Sequence, residues 1–446
     1  MTETLFALPE TTKQATDRGK GIPRVETPNR QQVAMRFAAL DDMLAEDHRA
    51  RLVWEMVEGY DMSRFYERIK AIEGEAGRPA IDPRLLTAVW LYATLEGVAS
   101  ARELDRLCEE HLAYQWLLGG VTVNYHTLAD FRVDYESELD DLLTKSVAAL
   151  LSEGIVNLEK TAQDGVRIRA NAGASSFRRK PTLEESLRQA EACLAQQKAE
   201  AESEGDGASV SRSQSARLRH AKERLGRVQK ALEEVEKVAA KKAKNRESRR
   251  KEKPARASTT DPEARVMKMP DGGFRPALNG QLTIDMESRV IVGVEVSNEA
   301  DQRLLNPMIE QIEARYQQVM QEHYVDGGFR SNRELERAAK KGVDVYSPIP
   351  KLYNKKSTRR PEEILPSDGP GVKAWKERMV TPEGKEKYKQ RAATIEWANA
   401  LARARGLYRL LVRGIRKAKA VLLWYALAHN VVQVMNLRVE MQRQPA

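Results

Sequence analysis

Apolar positions change their period three times along the chain. From about 36 to 150 they recur at helical spacing. Pro83-Arg84-Leu85-Leu86 opens a run with Leu86, Val89, Trp90 and Ala93 on one face, and Gly97 ends it. Ser100-Ala101-Arg102-Glu103 is a capping box, with a hydroxyl three residues ahead of a carboxylate, and starts the next helix. After the Gly119-Gly120 break, Thr127-Leu128-Ala129-Asp130 opens a helix that carries Phe131, Leu139, Leu142, Leu143 and Val147 inward. Residues 161–170 then alternate with period two, which predicts a strand with Asp164, Val166 and Ile168 on one face. From 182 to 257 the pattern becomes heptad. Leu218, Ala221, Leu225, Val228, Leu232, Val235 and Ala239 fall at a and d positions, and a shorter stripe of Leu183, Leu187, Ala190 and Leu194 precedes them. With Glu204-Gly205-Asp206-Gly207 between the stripes, the spacing predicts an antiparallel helical hairpin inserted into another domain.

Beyond the hairpin, strand and helix patterns alternate. Residues 277–285 and 290–296 read as strands around a Met286-Glu287-Ser288 turn, 303–320 as a helix, 323–326 as a short strand, 332–341 as a helix and 343–347 as a strand. Thr381-Pro382-Glu383 caps a helix that reaches Glu396. Setting the hairpin aside, the order fits a ribonuclease-H-like α/β domain with a mixed sheet. The predicted organisation is an arm over 1–35, an all-α N-terminal domain over 36–150, and a catalytic domain over 151–440 interrupted by the 182–257 hairpin. Short helices with tight breaks also resemble a helix-turn-helix arrangement, in which Asn124, Tyr125, His126, Thr127 and Arg132 face DNA. A bundle that only packs or dimerises is the alternative.

Charge sharpens the partner. Over 446 residues, 74 Lys and Arg stand against 65 Asp and Glu, a formal surplus of +9. That balance favours a polyanion, and nucleic acid above others. Basic residues of the arm (Lys13, Arg18, Lys20, Arg24 and Arg30), the hairpin end over 241–253, and the loop holding Lys351, Lys355, Lys356, Arg359 and Arg360 are candidate phosphate contacts. Only Cys108 and Cys193 occur, which excludes a disulfide framework and a Cys-rich zinc module. No basic-then-apolar leader opens the chain, and the apolar run over 421–437 contains His429, Asn430, Gln433 and Asn436, so a buried helix is expected rather than a membrane span. No phosphate loop of the P-loop kind is present, so no nucleotide cofactor is expected.

Three carboxylates carry the candidate chemistry. Asp164 projects from the first strand, Asp326 ends a short apolar run before Gly327-Gly328, and Glu396 lies on a late helix. Brought together they would hold two Mg²⁺, with Mn²⁺ as a substitute. Two such ions about 3.5–4 Å apart activate an attacking oxygen and stabilise a leaving one. Asp285 and Asp301 compete as strand-end acids. Helical spacing sets Ala392, Asn399 and Arg403 on the face of Glu396, where Arg403 could pair with a phosphate. Tyr388 and Arg391, one to two turns earlier, could grip a flanking strand.

These segments resemble the DDE transposases of bacterial insertion sequences, in the group typified by insertion sequence 1182 among the IS-four and IS-five-like transposases. The resemblance rests on Asp164-Gly165-Val166-Arg167-Ile168-Arg169-Ala170-Asn171, Thr260-Asp261-Pro262-Glu263-Ala264-Arg265, Val325-Asp326-Gly327-Gly328-Phe329, Tyr388-x-x-Arg391 with Glu396, and Ala426-Leu427-Ala428-His429-Asn430. It implies that Asp164, Asp326 and Glu396 bind the catalytic metals and that Tyr388, Arg391 and Arg403 contact DNA near the cut end. The implied partners are double-stranded DNA, as terminal inverted repeats and target, and a second copy of the chain in a synaptic complex. The implied location is the bacterial cytoplasm, on the nucleoid. Two features depart from the pattern. Four residues separate Arg391 from Glu396 where the family has three, and Arg403 stands where it has lysine. A DNA-binding protein derived from a transposase but without catalysis is the alternative expectation, and a coiled-coil scaffold a more distant one.

Overall fold

The structure is a computed structural model that describes residues 31, 38–72, 74, 79–203, 212–244, 254–350 and 360–443. Residues Leu40–Ala446 form one unit. Its helical part comprises α1 (Arg49–Glu58), α2 (Ser63–Tyr66), α3 (Pro83–Leu95), α4 (Ala101–Glu110), α5 (Leu112–Leu118), α6 (Tyr125–Asp134) and α7 (Glu136–Ser152). Pro83 starts α3 behind the Asp82 cap, and Ser100 caps α4 by accepting from the Glu103 amide. The helix expected from Thr127 differs in two ways. It begins at Tyr125, because Asn124 rather than Thr127 is the cap and accepts from the Thr127 amide, and it breaks at Tyr135, so Leu139 to Val147 belong to α7.

Next comes the sheet. Its strands are β1 (Lys160–Arg169), β4 (Arg265–Lys268), β5 (Phe274–Asp285), β6 (Ile291–Ser297), β7 (Glu322–Tyr324) and β8 (Asp344–Tyr346), and a separate pair joins β2 (Phe177–Arg178) to β3 (Ala257–Ser258). β1 lies between β5, which it pairs antiparallel, and β7, which it pairs parallel. β8 extends the parallel side, while β4 and β6 both line the far edge of β5. Parallel strands need crossovers, supplied here by α10 (Leu305–Tyr316) before β7 and α11 (Asn332–Lys340) before β8. This is a mixed α/β sheet behind a helical N-terminal region.

Between β2 and β3 the chain runs through α8 (Lys180–Ser203) and α9 (Arg212–Lys244). Leu183, near the start of α8, clusters with Ala231 and Val235, near the end of α9, and Lys180 pairs with Glu236 at 2.8 Å, so the two helices run antiparallel. Ala221, Val228 and Val235 are buried as the heptads predict, whereas Ala239 is exposed beyond the end of the α8 stripe. The Glu204–Gly207 turn, most of the 241–253 run, the basic residues of the arm, and Lys351, Lys355, Lys356 and Arg359 lie outside the described residues.

The C-terminal half adds α12 (Pro370–Val380), α13 (Pro382–Lys389), a π turn (Ala392–Glu396), α14 (Trp397–Ala404) and α15 (Ile415–Arg443). The single helix expected from Thr381 to Glu396 is thus α13 followed by a π turn. α15 is long and apolar enough to cross a membrane, yet 78% of its apolar window is buried in the protein. It is the axle of the molecule. Its Trp424 indole donates to the Arg132 carbonyl at 3.0 Å, on the helical side, and its Asn430 side chain bonds both backbone groups of Ile291 on β6, at 2.7 and 2.8 Å. One continuous apolar core therefore runs from Leu44 to Val434. The Thr260–Arg265 segment anchors the start of α15. Asp261 accepts from the Gly414 amide at 3.2 Å and Glu263 from the Ile415 amide at 3.0 Å, placing two acids at the positive end of the helix.

Candidate active site

Strand register positions the first two acids. Ala162 pairs with Tyr324 at the end of the β1–β7 register, and Asp164 and Asp326 each follow that pair by two residues, near enough for the Asp326 charge to act on Asp164. Period-two alternation also puts Asp164 on the face of Ala162, Val166 and Ile168, which are buried. Asp326 leaves β7 in a tight turn in which its Oδ1 accepts from the Gly328 amide at 2.7 Å. A Cβ on Gly328 would sit 2.9 Å from that same oxygen, which is why glycine stands there.

Glu396 arrives by way of the π turn. A π turn is a one-residue insertion in an α-helix, with partners at i and i+5. It absorbs the extra residue between Arg391 and Glu396 and restores their meeting. Arg391 Nη1 lies 2.6 Å from Glu396 Oε1, and Arg391 Nη2 lies 2.9 Å from Asp164 Oδ1. The Arg391 side chain is only 5% exposed while Glu396 is 53% exposed, so the guanidinium is sealed beneath an acid that opens to solvent. Asn399, on α14, donates to Asp164 Oδ2 at 2.8 Å.

Electrostatics ties the third acid in. Burial raises the Asp164 carboxyl above the ordinary value, Arg391 opposes that shift, and the charge of Asp326 adds to it. The Tyr388 phenol is also raised. Burial leads, Arg391 opposes, and Asp326, Glu396 and Asp164 each push it up. Tyr388 therefore feels all three acids at once.

The donor set is all oxygen, which suits a hard divalent cation, and the buried Asn399 Oδ1 has no hydrogen-bond partner. Among the described residues, however, no group of three or more His, Cys, Asp or Glu side chains is drawn together tightly enough to hold a metal ion. The Arg391 guanidinium bridges two of the three carboxylates.

The competing acids separate. Asp285 clamps a turn, accepting from the Ser288 amide and hydroxyl at 2.9 and 2.6 Å and from the Leu158 amide at 3.2 Å. Asp301 lies beside the candidate site, although no motif in the sequence singles it out. It accepts from Arg167 at 2.6 Å, Asn279 at 2.7 Å and Gln281 at 3.2 Å. An added Cβ on Gly165, next to Asp164, would meet it at 2.6 Å, and one on Gly328 would lie 3.6 Å from it. Asp301 thus backs the segments that present both aspartates.

The remaining candidates divide. Arg403 is exposed on α14, about two turns past Glu396, and His126 is exposed at the start of α6, its ring tilted against that of Tyr125 with centroids 3.9 Å apart. Arg132 is a correction. It is buried, its guanidinium sits 4.8 Å from the Trp90 ring centre and donates to the Ala99 carbonyl, and burial pulls its pKa down to about 10. A side chain so enclosed packs the helical core and cannot reach a phosphate. Lys355 and Lys356 lie outside the described residues.

Two family models match the chain. Residues 38–134 match a transposase domain (DUF772), and residues 212–431 match the transposase DDE domain. Both matched models describe transposase domains, and together they are consistent with an insertion-sequence transposase. The DDE match contains Asp326 and Glu396 and begins after Asp164, while the other match spans α1 to α6. No curated protein and no solved structure matches the chain. A transposase DDE domain is ribonuclease-H-like, which agrees with the strand order around β1.

Proposed function

We propose that this transposase serves an insertion sequence of the group typified by insertion sequence 1182. It would bind the terminal inverted repeats, cut the phosphodiester at the element ends and join the freed 3′-hydroxyl to target DNA. The observation that carries the reading is the meeting of Asp164 and Glu396 on one guanidinium, with Asp164 and Asp326 each two residues past the paired Ala162 and Tyr324.

In this reading Asp164, Asp326 and Glu396 hold Mg²⁺, or Mn²⁺ in its place. When bound, the ions supply an activated oxygen nucleophile and charge stabilisation at the leaving oxygen. The chain's own groups set the stage. Asn399 and the Gly165 amide fix the Asp164 carboxylate from two sides, at 2.8 and 2.9 Å. Burial of Asp164 limits the screening of its charge by water. Tyr388 and exposed Arg403 flank Glu396 along the helical run and would contact the strand being cut. The basic surplus of +9 supplies the sequence-independent attraction to DNA. Two copies acting on paired ends would make the synaptic complex, and the bacterial nucleoid would be its place of work.

The test uses a plasmid carrying the gene's own genomic flanks, incubated with Mg²⁺ or Mn²⁺ while breaks are mapped. Metal-dependent cuts at the element ends, absent with Asp164→Asn and with Asp326→Asn, are expected. Cuts that persist in Asp326→Asn would remove the metal assignment. Binding to the flanks without cutting under any metal would favour a transposase-derived DNA-binding protein.

A further inference from the structure

We infer that Arg391 is a latch that keeps the acids from loading metal until DNA draws it away. The inference rests on the metal reading proposed above and adds an order to it, with DNA first and metal second.

Four observations meet at this residue. Its two terminal nitrogens take Asp164 at 2.9 Å and Glu396 at 2.6 Å, so a resident cation lies between two of the three carboxylates. No group of three or more metal-ligating side chains is assembled among the described residues, as expected if a guanidinium lies between two of the acids. The latch is incompletely held, because its buried Nε has no hydrogen-bond partner. It also sits at the mouth of the π turn, whose N-terminal flank is Arg391 itself. π turns are rare single-turn bulges within α-helices and occur frequently at functional sites.

The exchange is physically balanced. A buried guanidinium leaves two carboxylates only if another anion receives it in matching geometry, and a phosphodiester does so with two parallel hydrogen bonds. Glu396 is half exposed, so the way out runs past an acid that already faces solvent. Once Arg391 has turned to a phosphate, the negative charge of Asp164, Asp326 and Glu396 lacks its counter-ion, and a divalent cation replaces it. Metal cannot compete well before that step, because it would have to displace a buried, doubly bonded cation and leave it stranded. The device would keep an activated nucleophile from forming away from DNA.

Mn²⁺ binding to the full chain, followed by the loss of its free-ion EPR signal, tests this without relying on cleavage. The probe is Mn²⁺ alone, then Mn²⁺ with a duplex cut from the gene's own flanks. The expected result is that Arg391→Gln binds Mn²⁺ without DNA at least about fivefold more tightly than the wild type, the low end of ordinary site coupling. The duplex should tighten Mn²⁺ binding in the wild type and leave Arg391→Gln nearly unchanged. Equal Mn²⁺ affinity of the two proteins without DNA overturns the latch. Because coupling is reciprocal, a second measurement needs no variant. Mn²⁺ must tighten the wild type's grip on the duplex by the same factor that the duplex tightens Mn²⁺, and a factor of one overturns the latch even if Arg391→Gln fails to fold. Asp326→Asn separates the two levels. If it binds Mn²⁺ as well as the wild type does with DNA present, the metal reading itself falls, whatever Arg391 does.

Discussion

At the scale of single residues, Gly165 shows how little slack surrounds the candidate site. A methyl group there would meet Asp301, Gln281 and Asn279 at 2.6, 2.8 and 2.9 Å, all closer than a Cβ tolerates. Gly165→Ala is expected to cost about 1–3 kcal/mol, the usual range for overpacking a filled interior, as read by chemical denaturation. A neutral outcome would mean that Asp301 is not held as described. His323 gives the pH dependence. It is fully buried, lies 2.7 Å from Thr161 Oγ1, and burial depresses its pKa to about 3 from an ordinary value of 6.5. The unfolded chain therefore takes up a proton below 6.5 that the native chain refuses, so stability falls as pH drops from 6.5 toward 3. The slope approaches about 1.4 kcal/mol per pH unit for this one group. His429, depressed to about 4 by burial, adds to it. His323→Gln should lose less stability between pH 7 and pH 5 than the wild type. An equal loss in both proteins counts against a neutral buried ring.

At the scale of elements, α15 and the π turn matter most. Asn430 satisfies both backbone groups of Ile291 at the start of β6, where neither could reach water. Asn430→Leu leaves a buried donor and a buried acceptor without partners and should cost about 2–4 kcal/mol in chemical denaturation. A loss below about 0.5 kcal/mol, the level of an ordinary surface change, would show that β6 finds other partners. Period-two runs and Gly-Gly punctuation made β1, β5, β6 and the approach to Asp326 legible in the sequence, and the heptads did the same for α8 and α9. Other elements left no such trace. Gly369-Pro370-Gly371 reads as loop, although Pro370 starts α12 at the position where proline is tolerated. Arg265 to Lys268 is too short and charged to announce β4. The π turn registers in sequence only as a spacing one residue too long. Arg132 shares its helix with exposed His126, and no pattern in one sequence says that Arg132 turns inward onto Trp90.

At the scale of the whole molecule, the helical region and the sheet are not independent pieces bolted together. Trp90 and Trp424 lie 6.5 Å apart, and the Trp424 indole donates to the Arg132 carbonyl at 3.0 Å, so the stretch matched as a transposase domain is packed on the stretch matched as the DDE domain. A single cooperative unfolding transition is expected for this body in calorimetry. Two separated transitions would show that the halves unfold apart. Sequence alone could list Asp164, Asp326 and Glu396, but only β1 beside β7 sets the two aspartates just past a paired position, and only the π turn brings Glu396 to the guanidinium that holds Asp164. The central claim is that these three acids form one metal-dependent DNA-cutting site. Anomalous diffraction from crystals of the protein with Mn²⁺ and a duplex from its own flanks tests it most directly. The account predicts manganese ligated by Asp164, Asp326 and Glu396, with Arg391 turned onto a phosphate. Manganese bound elsewhere, with Arg391 still bridging Asp164 and Glu396 on bound DNA, would contradict it.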